Sequence, residues 1–153
     1  MSVAEPAAPT PGAGVARVLV GVDGSAGSRR VATFARDLAR AFGAQLTVLH
    51  VIERLPMGMP GVQEMPLSEL YSQQMQGAAD FMNALSAELT LGDAEQVIEM
   101  GYPGDVICQE AVERNVNLIV VGWHGHRPGR RLLMGSVGAH VLASAGCSVT
   151  VVH

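Results

Sequence analysis

The sequence predicts an α/β fold: one domain built on a five-stranded parallel sheet, doubly wound, with strand order 3-2-1-4-5. Three observations predict it. Apolar runs of strand length alternate with segments of helical period from Arg17 to the end of the chain. The strand runs are near-continuous Val, Ile and Leu, as expected of strands covered on both faces. Hydrophobic residues make up 48% of the 153-residue chain and aromatics only 4%, so the core has to be aliphatic.

Residues 1–16 (MSVAEPAAPTPGAGVA) carry too little apolar surface to offset the entropy of ordering and read as a disordered arm, with the domain spanning 17–153. Strand 17–22 (RVLVGV) opens the domain, followed by a helix over about 27–42 and a strand over 45–52 (QLTVLHVI). Segment 53–66 contains three prolines and three methionines and reads as a loop, a mobile connector or one that folds over a site. A long helix over about 67–90 leads to strand 95–100, helix 104–114 and strand 117–122 (NLIVVG). Helix 135–145 and strand 147–152 complete the βαβαβαβαβ order. Right-handed crossovers set strands 1 and 4 side by side, where the direction of winding reverses, and a ligand belongs at the carboxyl ends of that pair.

Composition excludes several classes of function. The formal charge is -4 with a pI near 5.7, which offers no basic face for a polyanionic backbone, so nucleic acid is not an expected partner. No run of 18 apolar residues and no basic start with an apolar run is present, so the reading is a soluble, cytoplasmic protein without a membrane partner. Cys108 and Cys147 form no ligand-like spacing and read as reduced, packed thiols, which suits a reducing compartment. Lysine is absent, so any cationic contact to phosphate must come from arginine, and Arg127, Arg130 and Arg131 cluster within five positions.

Two turns fall at the expected crevice. Strand 1 runs into Gly21-Val22-Asp23-Gly24-Ser25, and strand 4 into Gly122-Trp123-His124-Gly125, with nine residues between Gly125 and Gly135-Ser136. The resulting G-x2-G-x9-G-S pattern places residues without a Cβ where a nucleotide must approach the backbone. Gly122 and Gly125 suit a ribose and α-phosphate, while Gly135 and Ser136 present free N–H groups and a hydroxyl at a helix N-terminus. Asp23 can accept hydrogen bonds from ribose hydroxyls or hold magnesium against the phosphates, or it can simply brace the turn before Ser25. His124 and His126 have no carboxylate or thiol at ligand spacing and no group to orient a general base.

Taken together, DGS after strand 1, LHVI in strand 2, and VVGWHG with nine residues before GSVGAHVL resemble the universal stress protein family, ATP-binding type, over residues 17–153. The resemblance implies a Rossmann-like, adenine-nucleotide α-hydrolase-like fold. It implies adenine bound by the backbone near Val51, with Val22 and Asp23 beside adenine and ribose. Val121, Gly122 and Gly125 would hold ribose and α-phosphate, and Gly135, Ser136 and Val137 the outer phosphates, with His124 in the same turn; from the residues alone, Arg127, Arg130 and Arg131 are the candidates to neutralise those phosphates. It further implies a homodimer paired through the last strand, which would otherwise be an apolar edge.

The sequence departs from the family pattern at Trp123, Gly138 and Gly146-Cys147-Ser148. An indole at 123 can stack on a base or border the pocket, pack outward at a subunit contact, or fill the crevice. The expected function is therefore an ATP-dependent sensor in the stress response, binding rather than turning over its ligand. AMP or cyclic AMP, slow ATP hydrolysis, and a dimeric module that binds no nucleotide are the alternatives.

Overall fold

The computed structural model describes residues 14–54, 65–124 and 134–153. Five strands and four helices alternate: β1 Arg17–Val22, α1 Ser28–Phe42, β2 Gln45–Ile52, α2 Leu67–Leu89, β3 Glu95–Met100, α3 Pro103–Glu113, β4 Leu118–Gly122, α4 Ser136–Ser144 and β5 Ser148–Val152. All neighbouring strands are parallel and the sheet order is β3-β2-β1-β4-β5, as expected from the sequence.

The period-2 alternation of each strand divides the core into two layers. Val18, Val20, Leu46, Val48, Leu118 and Val120 point to the face covered by α1 and α2, where they meet Val31, Ala35, Met82 and Leu85. Leu19, Leu49, Ile119 and Val121 point to the opposite face and meet Ile107, Ala111 and Val141 of α3 and α4. Small alanines on α1 let that helix lie close against β1 (Ala32 and Ala35 are fully buried).

The ends of the elements show why the boundaries fall where they do. Gly43 closes α1 in the left-handed region (φ 64°), where glycine carries no Cβ penalty. Pro103 stands in the first turn of α3, where a missing N–H costs nothing. α2 ends on Thr90 at φ 50°, a β-branched residue in a region such residues avoid. Two arginines of α1 hold that end: Arg36 Nη1 donates to the Leu89 carbonyl at 2.6 Å and Arg40 Nη2 to the Thr90 carbonyl at 2.9 Å. They supply donors and positive charge to carbonyls the helix itself leaves unpaired.

Residues 14–16, assigned to the arm from the sequence, are held against the domain. Val15 packs on the first core layer, and the Asn117 side chain accepts from the backbone N–H groups of Ala16 and Arg17, both at 2.8 Å. Residues 1–13 lie outside the described residues, as do 55–64 of the loop expected over 53–66 and residues 125–133. Among the described residues no helix is long and apolar enough to cross a membrane.

Candidate functional site

β1 and β4 lie side by side, and the helices that follow them, α1 and α4, cover opposite faces of the sheet. Where the winding reverses, a cleft of about 1090 Å³ lies above the strand ends, around the upper limit usual for small-molecule sites. Its floor comes from the ends of β1, β2 and β4, and its walls from the start of α1 and the middle of α2 on one side and the starts of α3 and α4 on the other.

The β1 turn is built around Ser28, which is buried. Its hydroxyl accepts from the N–H groups of Asp23 (3.2 Å) and Gly24 (3.1 Å) and donates to Asp23 Oδ1 (3.1 Å). Asp23 Oδ1 also accepts the Ser25 N–H at 2.9 Å, an Asx turn. The turn-bracing role weighed for Asp23 therefore exists, and it occupies only Oδ1. Oδ2 makes no hydrogen bond to a described residue while the side chain borders the cleft. Gly24 completes the turn at φ 80°, a conformation that favours glycine.

At the β4 end, backbone is exposed because side chains are missing. A Cβ on Gly122 would stand 3.2 Å from Val31 Cγ2 and 3.3 Å from the His124 carbonyl oxygen. Gly138 lets α4 approach: a Cβ there would meet Met134 Cε at 2.6 Å and the Gly122 carbonyl oxygen at 3.3 Å. The departure noted at 138 thus has a packing reason. Gly135, which precedes α4, gives its N–H to the Trp123 carbonyl at 2.8 Å, and Ala139 makes the first helical bond back to Gly135. The N–H groups of Ser136, Val137 and Gly138 accordingly have no partner within the helix, and no side chain caps them.

Of the residues singled out from the sequence, Val22, Asp23, Val51, Val121, Gly122, His124, Gly135, Ser136 and Val137 all border this one cleft. Gly125 and Arg127 lie outside the described residues, together with His126, Arg130 and Arg131. Trp123, for which the sequence leaves bordering the pocket, outward packing and filling the crevice all open, is not among the residues that border the cleft. Its N–H extends the β4–β5 ladder to the Val152 carbonyl (2.8 Å), which carries the indole away from the cleft and over the end of β5. There it stacks on His153, ring centroids 4.4 Å apart and planes 20° apart. The crevice is not filled by the indole.

Among the residues that border the cleft and were not singled out from the sequence are His50, Gln74, Phe81 and Tyr102. The His50 Nδ1 lies 2.9 Å from the Val22 carbonyl, so Nδ1 carries the proton and Nε2 is left as an acceptor in the neutral ring. Phe81 meets that imidazole edge-on at 5.3 Å. The described walls carry two carboxylates, Asp23 and Glu53, and no cationic side chain. Among the described residues no group of three or more His, Cys, Asp or Glu side chains is arranged to hold a metal.

The thiols are elsewhere. Cys108 and Cys147 are both free and half-buried against the second core layer, and burial, the first cause, pushes each thiol up from 9.0; Asp105 adds to the shift of Cys108, and Cys108 to that of Cys147. At neutral pH both are protonated packing groups.

Comparison with known proteins gives this arrangement its relatives. The family model described as the universal stress protein family matches residues 14–153. A universal stress protein of Methanocaldococcus jannaschii is 30% identical over 138 residues, 89% of this chain and 81% of that one. The solved structure of a universal stress protein from Lactobacillus plantarum superposes with a TM-score of 0.79 at 28% identity, covering 92% of this chain and 99% of the other. A universal stress protein solved in complex with cyclic AMP superposes with a TM-score of 0.70 at 25% identity, covering 92% and 99%. On a match that runs from the first described residue to the last, the chain belongs to the universal stress protein family.

Proposed function

We propose that the cleft binds an adenine nucleotide, ATP in the first place, and that the protein acts by binding it, as a nucleotide-dependent regulator in the stress response. The observation that carries the reading is bare main chain at the end of β4. A methyl group on Gly122 would press on both Val31 and the His124 carbonyl, so glycine lets β4 turn this close to α1 while its main chain borders the cleft, where a sugar or phosphate would lie against it. Opposite it, three unpaired N–H groups and the Ser136 hydroxyl at the start of α4 suit phosphate oxygens. Asp23 Oδ2, which has no hydrogen-bond partner among the described residues, would accept from ribose hydroxyls or hold a magnesium ion carried in with the nucleotide. The end of β2 at Val51 supplies backbone for the base.

A second reading, AMP or cyclic AMP, has its own support. The described walls are acidic and contribute no cation, which suits a nucleoside with a single phosphate, and a structural relative was solved with cyclic AMP. Arg127 would have to neutralise the outer phosphates of ATP. Pairing of β5, an edge strand of the sheet, with its two-fold mate would cover that edge and give a homodimer.

Heat release of whatever copurifies with the protein, identified by chromatography and mass, separates these readings. Bound ATP supports the first and AMP or cyclic AMP the second. A protein that emerges empty and takes up none of the three when they are added refutes both.

A further inference from the structure

We infer that Gln74 of α2 reads the base of the bound nucleotide by accepting a hydrogen bond from its exocyclic amino group. This rests on the nucleotide reading of the cleft and goes beyond it by naming a side chain that selects the base. Gln74 borders the cleft, and its Oε1 is buried from solvent with no hydrogen-bond partner among the described residues. It is the single such side-chain atom among them. Buried acceptors of this kind are costly and rare in native proteins unless something pairs with them.

The position of Gln74 follows from helix and strand geometry. Phe81 packs on the His50 ring, which fixes the level of α2 against β2. α2 runs back antiparallel to the strands, so Gln74, seven residues earlier, stands about 10 Å higher, two turns of helix. His50 is two residues short of the end of β2 at Ile52, about 7 Å of strand. Gln74 therefore overhangs the sheet by about 3–4 Å beyond the last residue of β2. That is the level at which a base held by the backbone near Val51 would lie. Gly77 and Ala78, on the same face of α2, keep the wall below Gln74 free of bulk. Asp23, the group suited to ribose, sits at the end of β1 instead, which assigns Gln74 to the base.

The test compares ATP with purine riboside 5′-triphosphate, which lacks only the 6-amino group, by calorimetric titration of the full-length chain. Wild type prefers ATP. Gln74→Met keeps the length of the side chain, removes the acceptor, and should shrink that preference about tenfold; Gln74→Glu, which keeps an oxygen at the same reach, should retain most of it. Circular dichroism confirms that each variant is folded. Base reading by Gln74 is wrong if Gln74→Met keeps the full preference, weakens both ligands equally, or changes the preference for ATP over 2′-deoxyATP instead. Those outcomes leave nucleotide binding standing. Failure of wild type to bind either triphosphate removes both the nucleotide reading and this inference.

Discussion

Replacing Ser28 by alanine removes one oxygen on which three hydrogen bonds converge. Two backbone donors, Asp23 N–H and Gly24 N–H, lose their acceptor, and Asp23 Oδ1 loses a donor. An ordinary hydrogen bond contributes about 0.5–1.5 kcal/mol net and one to a charged group about 1.5–3, which would sum to several kcal/mol. Two effects lower that figure. The bonds share one atom and are not additive, and Asp23 and Gly24 are exposed enough for water to replace part of what is lost. Ser28 itself is 3% exposed, so water does not refill its own position. The expected cost is about 1.5–3 kcal/mol, or roughly 5–9 °C in Tm for a domain of this size.

Asp23→Ala serves as the companion variant. Its carboxylate is exposed and stabilises the turn less, so its expected cost is about 0.5–1.5 kcal/mol, while its loss of nucleotide affinity is the larger of the two because it removes a group at the ligand. Thermal melts followed by circular dichroism, with nucleotide titrations on the same samples, give both orders. A drop of less than about 2 °C for Ser28→Ala, or equal affinity losses in the two variants, would refute the view that Ser28 builds the turn and Asp23 uses it.

Thr90→Gly relieves a β-branched residue held at φ 50° and should raise stability by about 0.5–1 kcal/mol, read as a higher Tm; an unchanged or lower Tm would show that the side chain contributes more than the strain costs. Trp123 is the sole tryptophan and stacks on His153 away from the cleft, so His153→Ala should alter its emission strongly and saturating nucleotide weakly; the reverse order would place the indole at the ligand. Both thiols have folded-state values raised above 9.0, so the stability they contribute is fully present below pH 9.0 and is lost as pH rises through the folded values. Alkylation by iodoacetamide at pH 7.5 should accordingly be slow in the native protein and fast in denaturant, and rapid native labelling would contradict this placement of the cysteines.

Much of this molecule was legible in the sequence because its strands are short, apolar and bounded by turn residues. Strands 17–22, 45–52 and 95–100 begin and end where their patterns do. The small misses have local causes. β4 starts at Leu118 rather than 117 because the Asn117 side chain is turned to the backbone of Ala16 and Arg17. α4 starts at Ser136 because Gly135 is its extended cap.

The backbone half of the site was legible for the same reason, since glycines announce where a Cβ is not tolerated. Side chains brought in by tertiary packing were not. Gln74 and Phe81 have the spacing of a core face, and nothing in that spacing says that the first turns of α2 rise above the sheet. His50 interrupts an apolar strand, a signal that could have been read as a polar group facing a cavity. The direction of the Trp123 indole stayed open in the sequence because it goes with one further ladder bond to Val152, beyond the last glycine of β4.

Calorimetric titration of ligand-free protein with ATP, in parallel with Gly122→Val, tests the central claim most directly. Saturable binding of one nucleotide per chain is expected in wild type, and loss of that binding in a Gly122→Val protein that retains its circular dichroism spectrum. No binding in wild type, or equal affinity in the variant, would contradict the account.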